Sequence, residues 1–181
     1  MARIAPERLV FLDESGVDTR MTRAYARAAR GQRAAGKMPW GHWKRLTVLG
    51  ALTREGVLAG MSIAAATSTR VFLAFVEQVL IPALRQRRPD TLVVMDNLAA
   101  HKAKAVRQAF DQAKISYRYL PPYSPDLNPI EPCWSKLKGQ LRAKAARSLA
   151  ALEAELGPAL ATITAHDARG WFRLAGYPAP D

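Results

Sequence analysis

The feature that most constrains this sequence is the proline-rich stretch YLPPYSPDLNPIEPCWSKLK at residues 119–138. Proline fixes the backbone φ angle and has no N–H to donate, so residues 120–129, with four prolines, can form neither a strand nor the interior of a helix. Asn128 is predicted to cap a helix in which Pro129 is the first residue and Glu131 the third, although Pro132 would suit a start one or two residues later. The stretch therefore predicts a rigid loop that delivers the Glu131 carboxylate to a helix start.

Two interpretations of Asn128 and Glu131 are open at this point. Residues of these types, three apart, can simply form a capping box. However, a loop this stiff is not needed for a capping box, and two other acids occupy comparable positions. Asp13 and Asp96 end the apolar runs LVFLD and TLVVMD, which are predicted to be buried strands. An acid at the end of a buried strand is poorly solvated and needs a partner, commonly a metal ion.

Three motifs in this sequence resemble those of a known family, the DDE transposases of bacterial insertion sequences and mariner-like elements. The motifs are DES at 13–15, MDN at 95–97 followed by His101, and PPYSPDLNPIE at 121–131 followed by Trp134. Thirty-four residues lie between Asp96 and Glu131, which is also typical of the family. The resemblance extends over nearly all 181 residues. It implies a transposase catalytic domain that cuts at transposon ends and joins the 3′ ends to target DNA.

The resemblance also implies a metal-dependent site. The implied catalytic and metal-binding residues are Asp13, Asp96 and Glu131. They would hold two Mg²⁺ or Mn²⁺ ions about 3.5–4 Å apart, one activating the nucleophile and the other stabilising the leaving oxygen. Hard divalent cations prefer oxygen ligands, and without them three clustered carboxylates repel one another, so a purely structural trio is not expected. The residues predicted to support the site are Glu14, which should face the opposite side of its strand, Asn97, His101 and Asn128. For His101 and Asn97 a capping or packing role is an open alternative.

Net charge points to a polyanionic partner. Lys and Arg exceed Asp and Glu by 12, and the isoelectric point is near 10.4. Such an excess in a chain that is 49% apolar favours a globular domain that binds nucleic acid, although a chain that is basic for solubility alone remains an alternative. The single cysteine, Cys133, excludes an internal disulfide and is predicted to be a small packing residue rather than a nucleophile.

Residues 19–45, which we call the basic segment, contain eight Lys or Arg residues and no acid. Glycines and a proline interrupt it, so a long helix is not expected. Tyr25, Trp40 and Trp43 alternate with the charges, as in surfaces that contact phosphates and stack on bases. The alternative is a solvated loop whose aromatic side chains turn to the core. The predicted DNA-binding residues are Arg20, Arg23, Arg27, Arg30, Arg33, Lys37, Lys44 and Arg45, with Lys136 and Lys138 from the later helix.

The predicted fold is α/β and ribonuclease H-like, with a mixed five-stranded sheet flanked by helices. Three antiparallel strands precede two parallel ones, which places Asp13 beside Asp96. The predicted strands cover residues 7–13, 44–53, 56–64, 91–96 and 115–120. The predicted helices cover residues 69–88, 102–114, 128–144, 148–164 and 167–175. Pro82 should kink its helix, Gly157-Pro158 should break or bend another, Asp18 should lie in a loop, and residues 178–181 should be frayed.

Residues 1–181 are predicted to form one catalytic domain, with the basic segment inserted and helices at 148–176 appended. The first predicted strand begins within ten residues of Met1, so the sequence has no room for the N-terminal helix-turn-helix region of the family. It is therefore expected to be one frame of a split gene, with an upstream helix-turn-helix polypeptide as partner, or a truncated remnant. A dimer on DNA and a cytoplasmic, nucleoid-associated location are expected, because no signal peptide or membrane-spanning run is present.

Two alternative functions remain open. One is another ribonuclease H-like DNA endonuclease, against which the PPYSPDLNPIE motif discriminates. The other is an inactive or domesticated DNA-binding remnant, which the basic segment alone could sustain. Metal-dependent strand cleavage separates this last alternative from the two enzymes.

Overall fold

The computed structural model describes residues 4–87 and 90–177 and is built on one five-stranded sheet. The strands are β1 (Leu9–Asp18), β2 (Arg45–Thr53), β3 (Gly56–Ile63), β4 (Leu92–Met95) and β5 (Ser116–Tyr119). They lie in the order β3-β2-β1-β4-β5. The first three strands pair antiparallel, whereas β4 pairs parallel with both β1 and β5. The predicted mixed sheet is confirmed.

Helices flank both faces of the sheet. They are α1 (Thr69–Phe75), α2 (Ile81–Arg85), α3 (Lys104–Gln112), α4 (Ile130–Lys144), α5 (Leu149–Ala161) and α6 (Ala165–Leu174). Short 3-10 turns occur at Pro6–Arg8 and Pro125–Leu127. Among residues 4–87 and 90–177, no helix is both long and apolar enough to cross a membrane.

The central strands β2, β1 and β4 bury both of their faces, so the core has two halves. Alternate residues of a strand point to opposite sides. Phe11 of β1 packs with α4, α5 and α6, and its edge-to-face contact with Phe172 has a centroid distance of 5.3 Å. Val10 and Leu12 pack on the other face with α1, α2 and α3. This double burial explains why β1 begins as a continuous apolar run.

The predicted helix at 69–88 is interrupted. A π-helical turn, Val76–Leu80, separates α1 from α2. Pro82 lies in the first turn of α2, where its missing N–H does little harm. The helix ends at Arg85, earlier than the predicted end at Arg88, which itself lies outside the described residues. The predicted frayed end at 178–181 also lies outside them.

The break predicted at Gly157-Pro158 does not occur, because α5 continues through both residues to Ala161. Ser148 caps this helix by accepting a hydrogen bond from the Ala151 N–H (3.1 Å). Buried side chains on both sides of the proline, including Leu152 and Ala159, anchor the helix to the core. Packing therefore outweighs the hydrogen bond that Pro158 cannot make.

The first strand is longer than predicted and continues to Asp18, which pairs with Arg45 of β2. The expectation of Asp18 in a loop is therefore wrong. Asp13 lies in the middle of β1 rather than at its end. The reason is that β2 supplies a pairing partner for every residue from Phe11 to Asp18, whatever its polarity.

Candidate active site

The strand register brings Asp13 and Asp96 to the same place on the sheet. Leu12 of β1 pairs with Met95 of β4, and these strands run parallel. The next residue along each chain is an aspartate, Asp13 inside β1 and Asp96 directly after β4. The predicted juxtaposition of the two therefore follows from the backbone alone.

Glu131 reaches this region on α4, as its second residue. The helix is held across the sheet by its buried side chains, which are Ile130, Cys133, Trp134, Leu137 and Leu141. The Glu131 side chain itself is exposed. The proline-rich stretch thus does place this carboxylate in the first turn of a helix.

The predicted capping role of Asn128 is wrong. Pro129 occupies the cap position of α4, and no side chain caps this end of the helix. The Glu131 N–H instead donates to the backbone oxygen of Asn128 (3.1 Å). The Asn128 side chain is buried, and its Oδ1 has no hydrogen-bond partner among the described residues. The capping-box interpretation is therefore wrong as well.

The loop before α4 is tied to the strand that carries Asp96. The Leu120 N–H donates to the Met95 oxygen (2.8 Å), and Asn97 Nδ2 donates to the Leu120 oxygen (2.5 Å). Further along, the Tyr177 hydroxyl donates to the Leu127 oxygen (3.0 Å). These bonds, with the prolines, fix the path from Asp96 to Glu131.

Asp13 is buried, with 7% of its surface exposed. Its Oδ2 accepts a hydrogen bond from Trp134 Nε1 (3.2 Å). Burial, together with the negative charges of Glu131 and Asp96, raises the pKa of Asp13 to about 7. The three carboxylates are thus near enough to influence one another electrostatically.

His101 joins Asp96 to Glu14 on the other side of β1. The imidazole is fully buried and lies against Phe72, with a centroid distance of 4.1 Å. Its Nε2 lies 2.9 Å from Glu14 Oε2. Its Nδ1 lies 2.6 Å from Asp96 Oδ1, as a close ion pair rather than a well-aligned hydrogen bond.

The charges in this cluster reinforce one another. Burial would lower the pKa of His101, but Asp96 and Glu14 outweigh burial and raise it to about 9. Burial likewise opposes ionisation of Asp96, but the contact with His101 and the Leu98 N–H, which donates to Oδ1 (3.0 Å), hold its pKa below the usual value. An imidazolium between two carboxylates follows at neutral pH.

The donor chemistry of the three carboxylates fits a hard divalent cation. Within residues 4–87 and 90–177, no three His, Cys, Asp or Glu side chains converge closely enough to enclose a metal ion. Mutual repulsion opposes such convergence, and the raised pKa of Asp13 shows that negative charge is unfavourable here. A cation would relieve that repulsion. Three oxygen donors suit Mg²⁺ or Mn²⁺ better than a soft metal.

Cys133 is not suited to act as a nucleophile in this site. Its side chain is buried beneath α4, and burial raises the pKa of its thiol to about 12. The thiol therefore stays protonated and is a poor nucleophile. The predicted packing role is confirmed.

The basic segment is an exposed loop. Between β1 and β2 the structure forms neither helix nor strand, in line with the prediction. Tyr25 and Trp40 are fully or almost fully exposed, so the alternative of aromatic side chains turned to the core is wrong for these two. The Arg20 guanidinium lies 4.0 Å from the ring centre of Trp43. Aromatic and cationic groups thus face solvent together.

Other basic side chains have internal partners. Arg147 Nη1 donates to the backbone oxygens of Thr19 (3.0 Å) and Met21 (2.9 Å), and so ties the connection between α4 and α5 to the start of the basic segment. Lys136 Nζ lies 2.6 Å from Asp167 Oδ2. Of the two predicted DNA-binding lysines of α4, Lys136 is therefore already paired with an acid.

Sequence reasoning missed the contact between Trp134 and Asp13. Two signals for it are present. Trp134 follows Glu131 by three residues, so the two share one side of α4. Gly50 lies directly opposite Asp13 on β2, and a glycine inside a strand often marks a close approach of another group.

Known proteins share the fold described above, and a family model matches most of the chain. A family model described as DDE superfamily endonuclease matches residues 8–153. A Mos1 transposase paired-end complex with left transposon end superposes with a TM-score of 0.76 at 20% identity, over 95% of this chain and 52% of that one. The catalytic domain of Mos1 mariner transposase gives a TM-score of 0.70 at 18% identity, over 95% and 79%. No curated protein matches the chain.

The structural likeness confirms the predicted ribonuclease H-like fold. At such identities it shows the fold alone. The chain spans about half the length of the Mos1 chains in the transposon-end complexes.

Proposed function

We propose that this chain, which belongs to the DDE superfamily of endonucleases, is the catalytic domain of an insertion-sequence transposase that cuts DNA at transposon ends and joins the freed 3′ ends to target DNA. One observation carries the proposal. Asp13 and Asp96 directly follow paired residues of neighbouring parallel strands, and Glu131 is near enough to raise the pKa of Asp13 by its charge. That arrangement comes from three segments far apart in sequence.

We propose that Asp13, Asp96 and Glu131 hold two Mg²⁺ or Mn²⁺ ions. Mos1 transposase structures with Mn and with Mg support divalent metal use in this fold. Such ions would supply Lewis-acid stabilisation of the charge that develops at the scissile phosphate.

Residues of the chain itself would hold the carboxylates in position for metal binding. Trp134 restrains one oxygen of Asp13, while His101 and the Leu98 N–H restrain one oxygen of Asp96. The His101 charge keeps Asp96 ionised against the effect of burial. Glu131 is exposed on a helix that is fixed to the sheet, so it can approach a ligand from solvent. The backbone would then need little rearrangement, and the carboxylate side chains would converge when metal and DNA bind.

Cleavage assays test this proposal. The wild-type protein should nick duplex DNA in Mg²⁺ or Mn²⁺, slowly and at scattered positions when it acts alone, and should stop when the metal is chelated. Asp96→Ala should abolish cleavage, whereas the exposed Asp111→Ala should not. Cleavage without strand joining would favour another ribonuclease H-like endonuclease, and DNA binding without cleavage would favour a remnant. Near-wild-type cleavage by Asp96→Ala would contradict the proposed site.

We further propose that the basic segment contacts the DNA backbone near this site. Its cationic side chains are exposed except for the half-buried Arg20, and phosphate contacts release counterions. Replacing Arg27, Arg30 and Arg33 with Ala should weaken DNA binding. It should also reduce the log–log salt slope by up to about one unit per lost contact. A matched control replaces three exposed arginines outside the segment, namely Arg85, Arg169 and Arg173. Equal slopes for both variants and the wild type would refute the role of the segment.

Recognition of transposon ends is proposed to need a further element, such as a helix-turn-helix polypeptide, acting with a dimer of this chain at the nucleoid. Phosphate contacts carry no sequence information, whereas base reading requires an element seated in a groove. The isolated chain should therefore bind duplex DNA weakly, with a Kd on the order of micromolar or weaker. A hundredfold preference for terminal-repeat over scrambled DNA at fixed salt would show that this chain reads sequence itself.

A further inference from the structure

Trp134 connects two parts of the candidate site that are distant in sequence. Its side chain is buried between α4 and the sheet. Its indole Nε1–H donates to Asp13 Oδ2 (3.2 Å), and its backbone lies one helical turn after Glu131. One residue therefore contacts the first carboxylate and shares a rigid helical turn with the third.

The sheet leaves room for this indole at one glycine. Gly50 pairs with Asp13 across β1 and β2, so side chains at these two positions would lie on the same face. A Cβ added at Gly50 would lie 2.6 Å from Trp134 Cη2, closer than real Cβ atoms approach other groups. The backbone at Gly50 has no left-handed φ, so glycine is required for space rather than for conformation.

A packing role alone does not account for a tryptophan here. An apolar side chain of suitable size would fill the space without bringing a buried N–H that needs an acceptor. The acceptor is Asp13, whose own orientation is thereby restricted. Groups that restrain metal-binding side chains in this way commonly change metal affinity or activity by about 10–100-fold when removed.

We propose that Trp134 is a positioning residue, seated over Gly50, that orients the Asp13 carboxylate and sets the spacing between β1 and Glu131. The inference rests on the proposed function, because it concerns how the chain's carboxylates are arranged for divalent metal.

The direct test is Mn²⁺ binding by titration calorimetry. Trp134→Phe removes the N–H and keeps an aromatic ring, and it should weaken Mn²⁺ binding about 10-fold or more. Gly50→Ala, which displaces the ring, should do the same. Trp171→Phe serves as the control, because Trp171 packs at the edge of the core. In cleavage assays, Trp134→Phe should lower kcat with little change in KM for DNA.

A second measurement reads the hydrogen bond between Trp134 and Asp13 directly in the folded protein. The chain has four tryptophans, and the Trp134 indole N–H resonance can be assigned from spectra of Trp134→Phe. In the folded protein that resonance should move when Asp13 is replaced by Asn and when Mg²⁺ is added, while the Trp171 resonance should not.

The outcomes distinguish the positioning role of Trp134 from the proposed function. The positioning role alone would be overturned if the wild type binds Mn²⁺ and Trp134→Phe binds it with an affinity within twofold of the wild type. It would also be overturned if the Trp134 indole resonance does not move in Asp13→Asn. A wild-type protein that binds no Mn²⁺ would overturn the proposed function, and the positioning role with it.

Discussion

Replacing Asp13 with Asn should stabilise the metal-free protein, and the gain should grow with pH. The carboxylate is buried and near two other negative charges, so its ionisation opposes folding. Asparagine has nearly the same shape and keeps an oxygen that can accept the Trp134 N–H. The substitution therefore removes the charge with little change in packing.

The magnitude follows from the pKa of Asp13, which rises from its ordinary value of 3.8 to about 7 on folding. Each pKa unit corresponds to about 1.4 kcal/mol, so ionised Asp13 should destabilise the fold by about 4 kcal/mol. Since the pKa of Asp13 is higher in the folded state, the free energy of unfolding is not reduced below pH 3.8, where Asp13 is protonated in both states. The free energy of unfolding falls as the pH rises from 3.8 to about 7 and changes no further above that.

The assay is urea denaturation of both proteins in a chelating buffer at two pH values. The stability advantage of Asp13→Asn should be about 1 kcal/mol at pH 4.5 and about 4 kcal/mol at pH 8. The exposed control Asp111→Asn should stay within about 0.5 kcal/mol of wild type at both values. If Asp13→Asn stabilises the protein by the same amount at both pH values, the charge of Asp13 does not destabilise the fold.

Two further predictions concern the packing around α4. Gly50→Ala should destabilise the protein by about 1–3 kcal/mol in chemical denaturation because its Cβ collides with Trp134, whereas Gly139→Ala, where nothing lies within 4 Å, should be neutral or stabilising. A Gly50→Ala variant as stable as wild type would mean that the indole has room to move. Cys133 should resist thiol reagents at pH 8 in the folded protein and react in urea, because burial raises its pKa to about 12. Rapid labelling of the folded protein would contradict this.

The sheet was predictable because most of its strands contain apolar runs of the right length with clear turn signals beside them. The pairing of Leu12 with Met95 then follows from strand order, and with it the closeness of Asp13 and Asp96. The position of Glu131 at a helix start was predictable, because the prolines before it exclude a strand and the interior of a helix.

Other features depend on contacts that a local pattern does not contain. β1 extends to Asp18 because β2 pairs with it, and α5 continues through Pro158 because residues on both sides are buried. Asn128 has the right type for a cap, but Pro129 takes that position. The contacts of Trp134 with Asp13 and of His101 with Glu14 join residues more than eighty positions apart.

The most direct test of the proposed metal site is a crystal structure of the protein with Mn²⁺, read by anomalous scattering. We expect two anomalous peaks about 3.5–4 Å apart, contacted by carboxylate oxygens of Asp13, Asp96 and Glu131. Asp96→Ala crystals grown in the same Mn²⁺ should lose at least one peak. Manganese bound only elsewhere on the surface, or at Asp13 and Asp96 with Glu131 pointing away in the presence of DNA, would contradict it.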